Sequence, residues 1–269
     1  MKVLVIGDAM TDVYWLGTVS RISPEAPVPV LSIQVTDRRP GGAANVAANI
    51  ESLGVSVERI FSTSKRIEKI RAHTDSHHIA RLDFDFPQDP IPCDQTYEEA
   101  LQRCEIVVMV DYGKGALANV QELILAARAM NRTALVDPKG WDWTKYRQAS
   151  LIKPNREEMR QLVGGWKDHE ELDFKARQFL VSSGIESILL TQGSEGMTLY
   201  TKDTTIHEDI TNPSPIDVSG AGEATLSAYA ASLARGMDTK ACIENASRAA
   251  GVAIANFGTY VLKESEVFG

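Results

Sequence analysis

Cysteine is scarce in this chain of 269 residues. Its three cysteines, Cys93, Cys104 and Cys242, form no C-x-x-C pair and have no histidine at a metal-ligand spacing. His77 and His78 are neighbours, but no third ligand accompanies them, which favours a surface or substrate contact over zinc. The sequence therefore shows neither a disulfide framework nor a zinc motif, and its thiols are typical of a reduced, cytoplasmic protein.

The sequence also lacks the patterns of several other protein classes. No apolar run approaches the roughly 18 residues of a membrane span, and the apolar strand at residues 2–7 gives no reason to expect a signal peptide. The net charge of -8 gives no electrostatic basis for binding nucleic acid or an anionic membrane. The Walker phosphate loop, the dinucleotide motif G-x-G-x-x-G and the Ser or Cys triad signatures are absent.

Short apolar runs alternate with helical patterns along the whole chain. Strands are predicted at residues 2–7, 106–111, 133–137, 150–153 and 187–191. Helices are predicted at about 41–53, 94–104, 118–130, 155–163, 170–183, 222–235 and 239–256. Buried strands separated by helices are typical of an α/β fold with a mainly parallel sheet, which binds ligands beyond the carboxyl ends of its strands.

Two stretches depart from this pattern. Residues 27–35 and 69–85 alternate polar and apolar side chains, which predicts strands with one solvent-facing side. We expect a small antiparallel sheet beside the main one, serving as a lid or as half of a dimer contact. The chain has no repeat or linker, so we predict one domain over residues 1–269, with lid strands inserted at about 13–38 and 68–86.

The most informative motif is the segment 217–223, Asp-Val-Ser-Gly-Ala-Gly-Glu, at the start of a predicted helix. Small residues at 220–222 let backbone N–H groups approach an anion, and the helix N-terminus adds partial positive charge. Glu223, in the first turn, is suited to accept a proton from a sugar hydroxyl. A structural alternative stays open, in which Ser219 caps the helix and Glu223 complements its dipole.

Polar or glycine-rich loops adjoin other predicted elements as well. Gly41 and Gly42 permit close backbone approach and Asn45 offers a donor and an acceptor, although tight helix packing alone explains these residues. Asn155 and Glu158 have the spacing of a helix capping box, and they would also order water around a metal–nucleotide phosphate. Further acids, lysines and glycines follow strands at 111–115, 137–140 and 191–196.

Together these segments resemble the ribokinase-like (PfkB) carbohydrate kinases, from residue 1 to about 266. The motifs that occur in the family's order lie at 41–47, 155–158, 191–196 and 217–223. Within the family, the chain is most similar to the heptose 7-phosphate kinases that supply sugar precursors of lipopolysaccharide, through segments 7–15, 20–30, 111–115, 136–140 and 258–259. The resemblance implies a three-layer αβα sandwich with a mainly parallel central sheet and a small antiparallel β lid. It also implies phosphoryl transfer from ATP to the anomeric hydroxyl of heptose 7-phosphate, giving the 1,7-bisphosphate.

The resemblance further implies a role for each matching residue. Gly220, Ala221 and Gly222 would form an anion hole, with Glu223 as the catalytic base. The sugar hydroxyls would contact Asp8, Asp12, Gly41, Gly42 and Asn45. The phosphate of the sugar would contact Arg21, Lys69 and Arg71, and the substrate and the transferring phosphate would lie near Lys114 and Asp137. The nucleotide site would comprise Asn155, Glu158, Thr191, Gly193, Gly196 and Asn245, with Asn155 and Glu158 organising Mg²⁺ through water. ATP and Mg²⁺ are the expected cofactors, a monovalent cation is left open, and the lid implies a homodimer.

Two departures from the family pattern bear on function. The family has Asp at the position of Glu223, and the extra methylene displaces the carboxylate by about 1 Å, which can cost on the order of 100-fold in rate. The chain is also short between Phe61 and Glu68, where the family has a helix and a strand. Three hypotheses therefore remain: an active heptose-phosphate kinase, a kinase for another sugar phosphate, and a relative that binds nucleotide or sugar without turnover.

Overall fold

The computed structural model describes residues 1–62, 64–74, 77–210 and 215–269. Its strands are β1 Val3–Gly7, β2 Ala9–Ile22, β3 Pro29–Gly42, β4 Val57–Phe61, β5 Ile67–His73, β6 His78–Phe84, β7 Ile106–Val110, β8 Thr133–Asp137, β9 Leu151–Ile152, β10 Ser187–Thr191, β11 Met197–Thr201 and β12 Thr205–Glu208. Its α-helices are α1 Ala43–Ser52, α2 Gln95–Arg103, α3 Val120–Ala129, α4 Arg156–Val163, α5 His169–Ser183, α6 Ala221–Ala234, α7 Thr239–Ile254 and α8 Glu264–Phe268. Short 3-10 helices lie at Trp143–Tyr146 and Gly193–Glu195.

The main sheet has eight strands in the order β12-β11-β10-β9-β8-β7-β1-β4. The strands from β10 to β4 in this order run parallel, and only β11 and β12 join antiparallel at one edge. The central strands β1 and β7 are wholly buried, as their continuous apolar sequences predict. The expectation of a mainly parallel sheet is confirmed.

Helices cover both faces of this sheet. Along β1, Val3 and Val5 face a core that includes residues of α1, α6 and α7, whereas Leu4 and Ile6 face a second core that includes residues of α2 to α5. Successive side chains of a strand point to opposite faces, so a wholly apolar strand requires a helical layer on each side. The predicted three-layer sandwich is confirmed.

The second sheet, which we call the lid sheet, has four strands in the order β3-β2-β5-β6. Its outer pairs are antiparallel as expected, but the central pair β2 and β5 is parallel. The reason is that β2 follows β1 and β5 follows β4, and these two parallel strands deliver the chain to the same edge of the main sheet. The small lid is thus confirmed, and its central pairing corrects the expectation of a purely antiparallel sheet. The reading of residues 1–269 as one domain remains a prediction.

Three strands of the main sheet, β4, β11 and β12, were not predicted from the sequence because they contain charged or polar residues. β4 contains Glu58 and Arg59, because it lies at the edge of the main sheet and its side chains are only partly buried. The antiparallel strands β11 and β12 also carry polar residues. Within the described ranges, no helix combines the length and the apolar composition that a bilayer crossing requires.

Candidate active site

The first turn of α6 is the centre of the candidate site. Gly220 precedes the helix with a φ of 79°, a left-handed conformation that glycine adopts without steric cost, and no side chain caps the helix. The alternative in which Ser219 provides the cap is therefore not realised. Asp217 instead accepts the N–H groups of Ser219 at 2.9 Å and of Gly258 at 3.0 Å, which fixes the preceding loop.

Two cavities meet at this turn. Ala221 and Gly222 line one of about 600 Å³, which we call the glycine-rich cavity. Gly220 and Glu223 line another of about 370 Å³, which we call the lid cavity. Consecutive residues of one helical turn therefore separate the two spaces, with the positive end of the helix between them.

The glycine-rich cavity lies over the carboxyl end of β10. It brings together the predicted nucleotide residues Asn155, Thr191, Gly193 and Gly196. Further lining residues that the sequence did not single out are Arg156, Glu157, Gln192, Ser194, Met197, Ile210, Pro215, Val218, Thr225, Ala250 and Ile254. A mainly apolar lining with a few polar groups is the general character of cofactor pockets.

Asn155 and Glu158 form the capping box of α4. The Glu158 N–H donates to Asn155 Oδ1 at 2.9 Å, and the Asn155 N–H donates to Glu158 Oε2 at 2.9 Å. The other Glu158 oxygen accepts Lys139 Nζ at 3.1 Å, and Glu158 does not line the glycine-rich cavity. The part of the chain that the structure describes contains no cluster of three or more His, Cys, Asp or Glu side chains that could hold a metal ion.

The lid cavity is strongly charged. Strand register puts Asp12, Lys69 and Asp83 side by side on one face of the lid sheet, and the remaining lining residues are Met10, Arg71, Arg81, Tyr112, Lys114, Lys139 and Thr259. Four of the cavity's cations have an acid partner, in the pairs Arg71–Asp12, Arg81–Asp83, Lys114–Asp85 and Lys139–Glu158. Arg81, Tyr112 and Lys139 were not predicted as site residues.

Lys69 is the exception among these cations. It makes no ion pair or hydrogen bond within the described residues, it is only 9% exposed, and its ammonium lies 4.5 Å from the centre of the Tyr112 ring. Burial lowers its pKa, while Asp12 opposes this shift. A buried ammonium without an acid partner favours an anionic ligand in the lid cavity.

Glu223 is 7% exposed and has a defined orientation. The Tyr112 hydroxyl donates a hydrogen bond to Glu223 Oε1. Burial and the nearby Glu223 charge raise the pKa of Tyr112 well above its usual range, so the phenol keeps its proton and remains a donor. The structure therefore presents Glu223 as a fixed acceptor at the wall of the lid cavity.

Beneath the same turn lies a buried ion pair between Lys153 and Asp137. Lys153 Nζ is 3.1 Å from Asp137 Oδ1. Burial raises the pKa of Asp137 to about 6, although Lys153 opposes the shift. A Cβ added to Gly222 would lie 3.1 Å from Lys153 Nζ, so the ammonium packs directly against the helix start.

A comparison with known protein families matches residues 94–265 to the pfkB family carbohydrate kinases. The D-beta-D-heptose 7-phosphate kinase of Bordetella bronchiseptica is 37% identical over 298 residues, which covers 100% of this chain and 95% of that protein. The chain belongs to the pfkB family of carbohydrate kinases. The bifunctional protein HldE of Shewanella sediminis is 40% identical over 297 residues, but this chain spans only 62% of its length. The family resemblance inferred from the motifs is confirmed.

Solved structures share the fold of this pfkB chain at low identity. A ribokinase from Arabidopsis thaliana, complexed with ribose and ATP, has a TM-score of 0.79 at 15% identity and covers 99% of this chain and 97% of its own. Phosphofructokinase-2 from Escherichia coli, in complex with potassium, has a TM-score of 0.78 at 19% identity and covers 99% and 96%. These similarities confirm the ribokinase-like fold.

Several predicted residues of the pfkB site lie outside the two cavities. Asp8 is fully buried and accepts N–H groups from Tyr112 at 2.8 Å, Lys114 at 3.0 Å and Ala116 at 3.1 Å. These bonds use both of its carboxylate oxygens, so Asp8 shapes the loop after β7. Its assignment to sugar hydroxyls stays a prediction.

Arg21 and Asn245 are also away from the cavities. Arg21 is exposed on β2, on the order of 30 Å beyond Asp12 along the strand. Asn245 is buried on α7, where its amide donates to Ser232 Oγ at 3.1 Å and to Met237 Sδ at 3.3 Å. Neither residue lines the glycine-rich cavity or the lid cavity, because Arg21 lies far along β2 and the Asn245 side chain packs inward between helices.

The remaining predicted residues adjoin the lid cavity without lining it. A Cβ on Gly41 would fall 2.3 Å from Asp12 Oδ2, and Gly42 has a φ of 55° that favours glycine. Asn45 is fully buried, and its Nδ2 has no hydrogen-bond partner. Asp137 lies below α6 with Lys153.

We expect Asp8→Asn to lower the free energy of unfolding by roughly 2 to 4 kcal/mol, because it turns an amide donor toward buried N–H groups. Urea-induced unfolding measures this change, and Asp203→Asn, in an exposed turn, is the matched control. A fully stable Asp8→Asn with a raised KM for sugar would contradict the structural role.

Proposed function

We propose that this chain transfers the γ-phosphoryl group of ATP to the anomeric hydroxyl of a heptose 7-phosphate. The observation that carries the proposal is that adjacent residues in the first turn of α6 line both cavities. A donor in one cavity and an acceptor in the other would meet at the positive end of a helix, where negative charge is stabilised. The heptose substrate is supported by the name of the Bordetella bronchiseptica relative.

ATP would occupy the glycine-rich cavity, with its phosphates toward α6. The family to which the chain belongs implies ATP with a divalent metal. Asn155, at the cavity wall, and Glu158 would organise Mg²⁺ through water, since Mg²⁺ commonly keeps several waters and binds mainly to substrate phosphates. The bound ion would supply neutralising charge to the phosphates. A monovalent cation stays open.

The acceptor would occupy the lid cavity. Its phosphate would form ion pairs with Lys69, which has no acid partner, and with the neighbouring Arg71 and Arg81. Asp12 and Lys114 would contact the sugar. The lid strands would cover the sugar and exclude water, which limits hydrolysis of ATP.

Glu223 would accept the proton of the attacking hydroxyl while the N–H groups at 220–222 stabilise developing charge. The Tyr112 hydrogen bond gives the longer glutamate side chain a fixed position, which offsets part of the disorder that an extra methylene introduces. We therefore expect turnover slower than that of an aspartate at the same position, but not abolished.

A second candidate is a kinase for a different sugar phosphate. The short segment between Phe61 and Glu68 supports it, because the described residues between β4 and β5, 62 and 64–66, form no helix or further strand near the acceptor side. A third is a relative that binds nucleotide or sugar without turnover, which the replacement of Asp by Glu223 supports. Phosphoryl transfer from ATP, measured with a panel of sugar phosphates, separates the three candidates. Transfer to heptose 7-phosphate supports the first, transfer to another sugar phosphate supports the second, and nucleotide or sugar binding without transfer supports the third.

We expect Glu223→Gln to lower kcat by about 10² to 10⁴, because it removes the general base. The kcat of Glu223→Asp should stay well above that of Glu223→Gln, and Glu244→Gln, on α7 and lining neither cavity, is a control for the loss of one acid. The measurement is phosphoryl transfer from ATP and Mg²⁺ to heptose 7-phosphate. Equal rates for Glu223→Gln and the parent chain would rule out Glu223 as the base.

We also propose a homodimer through the lid sheet. On β6, Arg81 and Asp83 face the lid cavity, so the alternating Leu82 and Phe84 point to the opposite face. These two apolar side chains are exposed, which supports their burial against a second copy.

Light scattering should give the parent chain about twice its mass of 29.4 kDa. We expect Phe84→Asp to give the monomer, because a charge cannot be buried at such a contact without a partner. Phe174→Asp, at an exposed site on α5, should leave the dimer intact. A monomeric parent chain would exclude this contact.

A further inference from the structure

The segment 257–259, between α7 and α8, lies against the first turn of α6. A Cβ added to Gly220 would lie 3.3 Å from Thr259 Cγ2 and 3.4 Å from Thr259 Cα. The Gly258 N–H donates at 3.0 Å to Asp217, the acid that fixes the loop before α6. A shift of this segment would therefore move the turn that separates the two cavities.

No regular structure holds this segment in place. It belongs to no helix or strand, and no backbone–backbone hydrogen bond of the described chain involves residues 257–259. The segment is nevertheless largely buried, and buried N–H and C=O groups of the backbone need hydrogen-bond partners. Side chains from elsewhere in the fold must therefore supply these partners.

Two side chains of the lid sheet meet this need. The Tyr14 hydroxyl, on β2, accepts the Thr259 N–H at 2.8 Å. Arg39, on β3, donates to the carbonyl oxygens of Phe257 at 2.6 Å and of Thr259 at 3.1 Å. A Cβ on Gly258 would fall 2.7 Å from Tyr14 Cζ, so the glycine lets the backbone pack directly on the ring. The lid sheet thus binds the segment that supports the α6 turn.

Tyr14 also adjoins the cations of the lid cavity. Asp12, two residues earlier on β2, lines that cavity and forms an ion pair with Arg71. The Arg71 guanidinium lies 5.5 Å from the centre of the Tyr14 ring. An anion that binds Arg71 would therefore act beside Tyr14, which contacts Thr259 and through it Gly220. Contiguous contacts of this kind can couple two binding sites when both ligands favour the same arrangement.

We propose that Tyr14 and Arg39 are positioning residues, which hold the first turn of α6 in place through the segment 257–259 and so couple the lid cavity to the glycine-rich cavity. Through them, an acceptor under the lid strengthens the binding of a nucleotide phosphate at the turn, and the nucleotide strengthens acceptor binding by the same factor. The identity of the two ligands rests on the proposed function, whereas the contacts between the lid sheet and the turn do not.

Hydrogen exchange, followed by mass spectrometry without any ligand, tests the support of the turn. Tyr14→Phe keeps the ring but removes the hydroxyl that accepts the Thr259 N–H. We expect the amides at 217–226 to exchange roughly 10-fold faster, the effect of losing one hydrogen bond to a buried donor. Arg39→Met, which removes the bonds to the two carbonyl oxygens, should give the same result.

Tyr260→Phe is the matched control. It removes a phenol hydroxyl next to the same segment, but this hydroxyl donates to Glu266 of α8 at 3.0 Å. Its exchange at 217–226 should match that of the parent chain. The proposal is overturned if either lid-sheet variant leaves the exchange at 217–226 unchanged, or if Tyr260→Phe raises it equally. It is also overturned if exchange in α5 rises as much as at 217–226, because the fold as a whole is then destabilised.

Isothermal titration measures the coupling itself. With Mg²⁺ present, the β,γ-methylene analogue of ATP, whose γ-phosphonate cannot be transferred, is titrated into the chain with and without heptose 7-phosphate. We expect heptose 7-phosphate to tighten analogue binding by about 5- to 50-fold in the parent chain and by less than about 2-fold in Tyr14→Phe. A residue that only stabilises the fold would leave this factor unchanged.

The two experiments distinguish failure of this inference from failure of the proposed function. Equal tightening in the parent chain and Tyr14→Phe, or none in a parent chain that binds both ligands, would overturn the coupling and leave the proposed function intact. A parent chain that binds no heptose 7-phosphate would refute the proposed function, and the exchange at 217–226 would then decide this inference alone.

Discussion

The proposed site depends on one steric and electrostatic constraint: an anion would have to reach the backbone N–H groups at the start of α6. Gly220 makes the approach available through a left-handed φ of 79°, and Gly222 leaves room for the Lys153 ammonium, which a Cβ would crowd at 3.1 Å. The absence of a capping side chain keeps the helix end available for a ligand. These features together make residues 220–222 the boundary between the two cavities.

The fold brings several loops and the lid sheet close to the first turn of α6. Parallel strands deliver their loops to one edge of the main sheet, so the loops after β7, β8, β9 and β10 approach α6 together. Asp8, at the end of β1, anchors the loop after β7 through three N–H groups and so sets the position of Tyr112. The lid sheet grows from the same edge through β2 and β5, which adds charged side chains above the turn.

Features that depend on residues close together in the chain could be predicted from the local sequence. Apolar runs predicted the central strands, and the spacing of Asn155 and Glu158 predicted the capping box that the structure contains. Tyr112 lay within a noted segment, yet its contact with Glu223 was missed because the two residues are 111 positions apart in the sequence. The same limit explains Asp8 and Asn245, whose polar side chains are used by buried contacts that no local pattern reveals.

The most direct test of the central claim is a crystal structure of the chain with Mg²⁺ and the β,γ-methylene analogue of ATP. The account predicts the base in the glycine-rich cavity and the γ-phosphonate within hydrogen-bond distance of the backbone N–H groups at 220–222. A nucleotide bound elsewhere, or a terminal phosphonate directed away from α6, would contradict it.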